Sequence, residues 1–175
     1  MFRVKIKLTL KAGIKKMLHL VWIKGSGDEA RNVHSHLMNC YKSLYLETPE
    51  NLNEEEAATY IGLNLISLTY GLNYAELTSL EALLFNLMKE GYISDVAIQK
   101  LWRVFSARSG SITKAQRRGA IQVLSMLATA NPSMIIDEMD SLLQVGLGPE
   151  GRRDTTLARH TCIALQKVSF TISGE

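Results

Sequence analysis

Residues 94–132, SDVAIQKLWRVFSARSGSITKAQRRGAIQVLSMLATANP, hold two helices with their punctuation, and the rest of the chain repeats that design. Ser94 is placed to cap a helix over residues 95–107, along which Val96, Ile98, Leu101, Trp102 and Phe105 recur at helical spacing. The Ser109-Gly110-Ser111 loop ends it. Thr113-Lys114-Ala115-Gln116 then has the form of a capping box, in which the Thr hydroxyl takes the amide three residues on and the Gln side chain reaches back. The helix it opens carries Ile121, Leu124 and Leu127 and halts before Asn131-Pro132. A pair of helices with two apolar faces cannot bury both alone, so stacking on neighbouring pairs is the expected solution.

Working outward, the same signals recur. Upstream, Asn53 can cap a helix that begins Glu54-Glu55-Glu56, acids that suit the positive end of the helix dipole, and runs through Ile61, Leu65 and Leu68 to Gly71. Thr78-Ser79-Leu80-Glu81 reads as the capping box of the next helix, which Gly91 closes. Earlier still, residues 28–46 form a helix ended by Thr48-Pro49, and residues 8–23 form one that stops before Gly25-Ser26-Gly27. The first seven residues stay open, because Phe2, Val4, Ile6, Leu8 and Leu10 alternate with polar residues at the strand period. Downstream, Asn131 as N-cap and Pro132 as first helical residue open a helix to about residue 145. Gly146-Leu147-Gly148-Pro149 breaks it, and a last helix covers residues 154–168. The pairs recur at roughly 40 residues, the spacing of HEAT and armadillo repeats. The expected fold is therefore all-α: one solenoid array over residues 1–175, with hairpins near 8–46, 53–90, 95–129 and 132–168.

The 175 residues are 46% hydrophobic with three prolines, which fits an ordered chain. The longest uncharged apolar run, residues 60–75, is interrupted by Asn64, Ser67, Gly71 and Asn73 and falls short of a membrane span. No signal-peptide pattern stands at the N-terminus, and an intracellular, reducing context is expected. Cys40 and Cys162 form no C-x-x-C pair and read as ordinary buried thiols. No catalytic cluster assembles, so no enzyme, no cofactor and no metal is expected. His34 and His36 lie two apart on a helix and point to different sides, while His36 and Cys40 share a face but lack a third ligand. Gly146-x-Gly148-x-x-Gly151 follows a helix rather than a strand, so it reads as a helix break and not as a dinucleotide fingerprint.

Charge is more informative. Residues 1–24 carry seven basic and no acidic side chains, residues 25–98 three basic and eleven acidic, and residues 99–127 six basic and none acidic. Lys114, Arg117 and Arg118 recur at helical spacing in the first turns of their helix, and Arg103 and Arg108 precede the short loop before it. Cations at a helix start oppose the dipole, and a negative partner would offset that. These five are the candidates for DNA-phosphate contact; the competing reading is a solvated face, or ion pairs with the acidic band. Lys5, Lys7, Lys11, Lys15 and Lys16 make a second basic strip. With no base-reading aromatics among these lysines, such contact is sequence-independent. Trp22 and Trp102 read as core.

Three runs resemble the condensin subunit 1 family. They are Thr113-Lys114-Ala115-Gln116-Arg117-Arg118-Gly119-Ala120 continuing as Leu124-Ser125-Met126-Leu127-Ala128, Gly146-Leu147-Gly148 followed by Leu157-Ala158-Arg159-His160-Thr161-Cys162-Ile163-Ala164-Leu165-Gln166, and Lys15-Lys16-Met17-Leu18-His19-Leu20-Val21-Trp22. The resemblance implies an internal fragment of a larger HEAT subunit with a non-enzymatic role in mitotic chromosome condensation. It implies kleisin and SMC ATPase subunits as partners, duplex DNA as a ligand, and residence in the nucleus and on mitotic chromosomes, with a cytoplasmic pool as well. The alternative is a HEAT adaptor that binds a peptide or helix in trafficking or nuclear transport.

Overall fold

Side-chain caps set where the helices begin. The computed structural model describes residues 12–20, 28–42 and 50–172. In order these form α1 (residues 12–20), α2 (Asp28–Tyr41), α3 (Glu54–Leu68), α4 (Tyr74–Lys89), α5 (Asp95–Ser106) and α6 (Lys114–Leu127). Three short pieces follow, α7 (Ser133–Ile136), α8 (Met139–Ser141) and α9 (Pro149–Arg152), and then α10 (Thr155–Ile172). Among the described residues there is no strand, only an isolated bridge between Ser109 and Ile112. The alternating segment at residues 2–10, Trp22, and the terminators at Gly25 and Thr48-Pro49 lie outside the described residues.

Three predicted caps are formed. Asn53 Oδ1 accepts from the Glu56 amide at 2.9 Å while Glu56 accepts from the Asn53 amide at 3.1 Å. Ser94 Oγ accepts from Ala97 at 3.2 Å, and Thr113 Oγ1 from Gln116 at 3.1 Å. The fourth helix corrects its prediction. It opens one turn early, at Asn73, whose side chain accepts from the Glu76 amide at 2.9 Å with Glu76 reciprocating at 2.9 Å. Thr78 lies inside α4 and donates to the Tyr74 carbonyl at 3.0 Å.

The predicted seventh helix is also revised. Asn131 caps nothing: Pro132 is the cap residue, without a side-chain hydrogen bond, and Asn131 accepts from Ser133 Oγ at 2.6 Å. The helix breaks at Glu138 (φ −112°, ψ 22°), resumes as α8 and widens into a π-helical turn over Leu142–Gly146. Close packing accompanies that turn: a Cβ on Gly146 would stand 2.1 Å from Thr161 Oγ1 of α10, and one on Gly151 would stand 1.8 Å from the Gly146 carbonyl oxygen of the turn itself. The expected break thus contains α9, and α10 runs on to Ile172 from a cap at Asp154, which accepts from the Leu157 amide at 3.1 Å.

Buried α6 is the hub. α3, α4, α5 and α10 all pack on it, α3 lies against α5, and α2 against α4. The result is a two-layer α-solenoid, with α3 and α5 in one layer and α2, α4, α6 and α10 successive in the other. Leu80, Leu84 and Leu87 of α4, Leu101 and Phe105 of α5, Ile121, Leu124 and Leu127 of α6, and Leu157 and Val168 of α10 share one core. Trp102 belongs to it, edge-on to Phe105 at 5.8 Å. A polar clamp adds to the apolar contact. Lys167 Nζ donates to the Ser125 carbonyl at 2.6 Å and pairs with Glu81, which also accepts from Thr129 at 2.7 Å, joining α4, α6 and α10. Contrary to expectation, Cys162 is exposed and Cys40 only half-buried. No described helix is long and apolar enough to cross a membrane.

Candidate nucleic-acid interface

Adjacent helical residues point about 100° apart, and that angle divides the predicted basic cluster. Arg117 faces α5 and is buried. Its guanidinium donates to the carbonyl oxygens of Phe105 at 2.7 Å and Ala107 at 2.6 Å, so it closes the C-terminus of α5, where a cation is favoured. Arg118 faces α10. Its Nε donates to both carboxylate oxygens of Asp154, at 2.9 and 2.8 Å, while the side chain stays 41% exposed. Asp154 therefore fixes the arginine in a part-exposed position. Burial pushes the Asp154 carboxyl up, but the Arg118 hydrogen bond, the Leu157 amide and the charges of Arg118 and Lys114 together hold it below its usual value.

Arg103 is engaged elsewhere. With Lys100 it pairs with Glu55 of α3, Arg103 at 3.3 Å, and hydrogen bonding from Lys100 followed by the charges of Lys100 and Arg103 lowers the Glu55 pKa. This is the ion-pair alternative that the charge bands left open. Lys15 Nζ donates to the Gly71 carbonyl at 2.7 Å and lies 3.7 Å from Glu76, so it too ties helices together, whereas Lys16 is exposed. Lys5, Lys7 and Lys11 lie outside the described residues.

Arg108 and Lys114 remain at the surface, and among the described residues their side chains make no hydrogen bond. The fold adds two cations that the sequence reading missed. Ser109 Oγ donates to Glu150 of α9 at 2.5 Å and Arg118 grips Asp154, so the α5–α6 loop sits beside the α9–α10 turn, where Arg152 and Arg153 are both exposed. Arg108, Lys114, Arg118, Arg152 and Arg153 thus border one edge, whose acids Glu150 and Asp154 are already bonded. Their adjacency to Asp154 in sequence was visible, but the meeting of residues 108–118 with residues 150–154 is a tertiary fact.

A second feature lies on the layer formed by the successive helices. Between α4 and α10, over α6, is a cavity of about 430 Å³. Leu77, Met126 and Ile163 give it an apolar floor, and Tyr74, Arg159 and Lys167 border it. No group of three or more metal-ligating side chains occurs among the described residues.

No protein-family model matches the chain. Individual relatives do. Condensin complex subunit 1 of Schizosaccharomyces pombe is 50% identical over 164 residues, covering 94% of this chain and 14% of that protein. The chain belongs to the condensin complex subunit 1 family. The Saccharomyces cerevisiae subunit 1 is 38% identical over 172 residues, and the Homo sapiens subunit 1 is 25% identical over 157. The chain spans 14% of the first of these condensin subunits and 15% of the second, so it corresponds to a segment of much longer proteins.

Proposed function

We propose that this chain is a non-catalytic scaffold segment of a condensin complex, acting in mitotic chromosome condensation in the nucleus and on chromosomes. The 50% identity across nearly the whole chain carries that reading. An α-solenoid offers long surfaces for other subunits, and the kleisin and SMC ATPase subunits are the partners the resemblance implies. Within this role the edge formed by Arg108, Lys114, Arg118, Arg152 and Arg153 contacts duplex DNA through its phosphates, without reading bases. Exposure of four of these cations and a prearranged fifth support it.

The test is titration of the chain with fluorescent duplex DNA of unrelated sequences at two salt concentrations, alongside a kleisin-derived peptide. Binding to every duplex with similar affinity, weakening as salt rises, is the expected result. Peptide binding with no affinity for DNA would overturn the DNA contact. It would leave the scaffold role through kleisin standing; the second reading, an adaptor for a peptide or helix of another partner, is the one the cavity between α4 and α10 supports.

A further inference from the structure

The α5–α6 loop carries chemistry that a DNA contact does not use. Ser109 and Ser111 are exposed, and so are Arg108, Gly110 and Lys114 around them. An isolated bridge pairs Ser109 with Ile112, and few other bonds hold the turn. The amide and Oγ of Ser111 both donate to the Arg108 carbonyl, at 3.1 and 2.7 Å, and Ser109 Oγ donates to Glu150 at 2.5 Å. Gly110 sits at φ 92°, a conformation open to glycine, so the chain reverses there without strain.

Arg108 stands three residues before Ser111, and Ile112 follows it. A cation at that position and an apolar residue just after the acceptor are what basophilic serine kinases read in an extended substrate. The neighbouring serines fit less well. Ser106 has Arg103 at the same offset but is the last residue of α5, and Ser109 has Ser106 there instead of a cation.

We propose that Ser111 is a phosphorylation site for a basophilic serine kinase, and that its phosphate switches off the basic edge; the switching half rests on the DNA reading above. MgATP is the co-reactant. Ser111 Oγ forms a bond to the γ-phosphorus, the bond from that phosphorus to the bridging oxygen of ADP breaks, ADP leaves, and the hydroxyl proton passes to the kinase's base. The product adds a charge of about −1.5 to −2 beside Arg108 and Lys114. Those cations then pair within the protein, and the phosphate repels the DNA backbone.

The full chain is incubated with MgATP and the catalytic subunit of cAMP-dependent protein kinase as probe, the modified residue is mapped by mass spectrometry, and duplex affinity is read before and after. Phosphate mapped to the Ser109-Gly110-Ser111 loop is expected in the folded wild type and in Ser109→Ala but not in Ser111→Ala, whose fold is checked by circular dichroism; the exposed Thr155 and Thr156, which follow Arg152 and Arg153, are told apart by the mapping. Affinity for DNA should fall on the order of tenfold. Phosphate in that loop that persists in Ser111→Ala, or none there in the folded wild type, overturns the site. Modification at Ser111 that leaves DNA affinity unaltered overturns the switch and leaves the DNA contact standing. An unmodified chain without DNA affinity overturns the contact and the switch together, and the site is then judged on incorporation alone.

Discussion

Arg117 and Arg118 are neighbours with opposite duties. Because the Arg117 guanidinium satisfies the last carbonyls of α5 from a buried position, Arg117→Ala should destabilise the fold by about 2–3 kcal/mol, the scale of charged hydrogen bonds with buried partners. Urea unfolding measures that, and DNA affinity per folded molecule should not change. At Asp154 the sign of the pH dependence follows from its lowered pKa. A carboxyl held below its ordinary value contributes stability that is complete above the unfolded value near 3.8 and is lost as pH falls through the folded value. Unfolding of wild type and Asp154→Asn as a function of pH should therefore differ by a constant amount near neutrality and converge in acid. Curves that stay parallel into acid would refute the role given to the Arg118 pair.

Among the elements, α6 is packed closely against α3. A Cβ on Gly119 would approach Ile66 Cγ2 to 2.7 Å and the Ile66 carbonyl to 3.3 Å, so α6 and α3 touch through a bare backbone there. Gly119→Val should cost about 1–3 kcal/mol by thermal or urea unfolding, despite removing a glycine from a helix. Helix starts were legible where the cap is a local hydrogen bond, as at Asn53, Ser94 and Thr113. Thr78-x-x-Glu81 misled because the same four-residue pattern occurs inside helices, while Asn73-x-x-Glu76, one turn earlier, makes the real box. The broken seventh helix was illegible for another reason. Its apolar spacing is helical, but the π turn coincides with the contact of Gly146 with Thr161 of α10 and of Gly151 with Gly146, which no local pattern records. The same limit hid the role of Arg117, since helical spacing groups Lys114, Arg117 and Arg118 on one side but does not say that α5 and α10 cover parts of it.

Over the whole molecule, charge segregation in the sequence becomes partly internal and partly external. Glu55 of the acidic band draws in Lys100 and Arg103, Glu90 draws in Lys42 at 2.9 Å, and Glu81 draws in Lys167. The edge around the α5–α6 loop and the α9–α10 turn stays outside, as do Lys16, Lys89 and Arg159, and it reaches beyond the candidates visible from residues 103–118 alone. A condensin segment that holds DNA there must show it as salt-dependent affinity that belongs to these cations. The deciding measurement is duplex affinity across a salt series for the wild type and for Lys114→Glu/Arg152→Glu/Arg153→Glu, all on exposed positions. Log affinity should fall linearly with log salt, and the slope should shrink by about 0.9 for each phosphate contact removed. An unchanged slope and affinity in the triple variant would contradict the assignment of this edge to DNA.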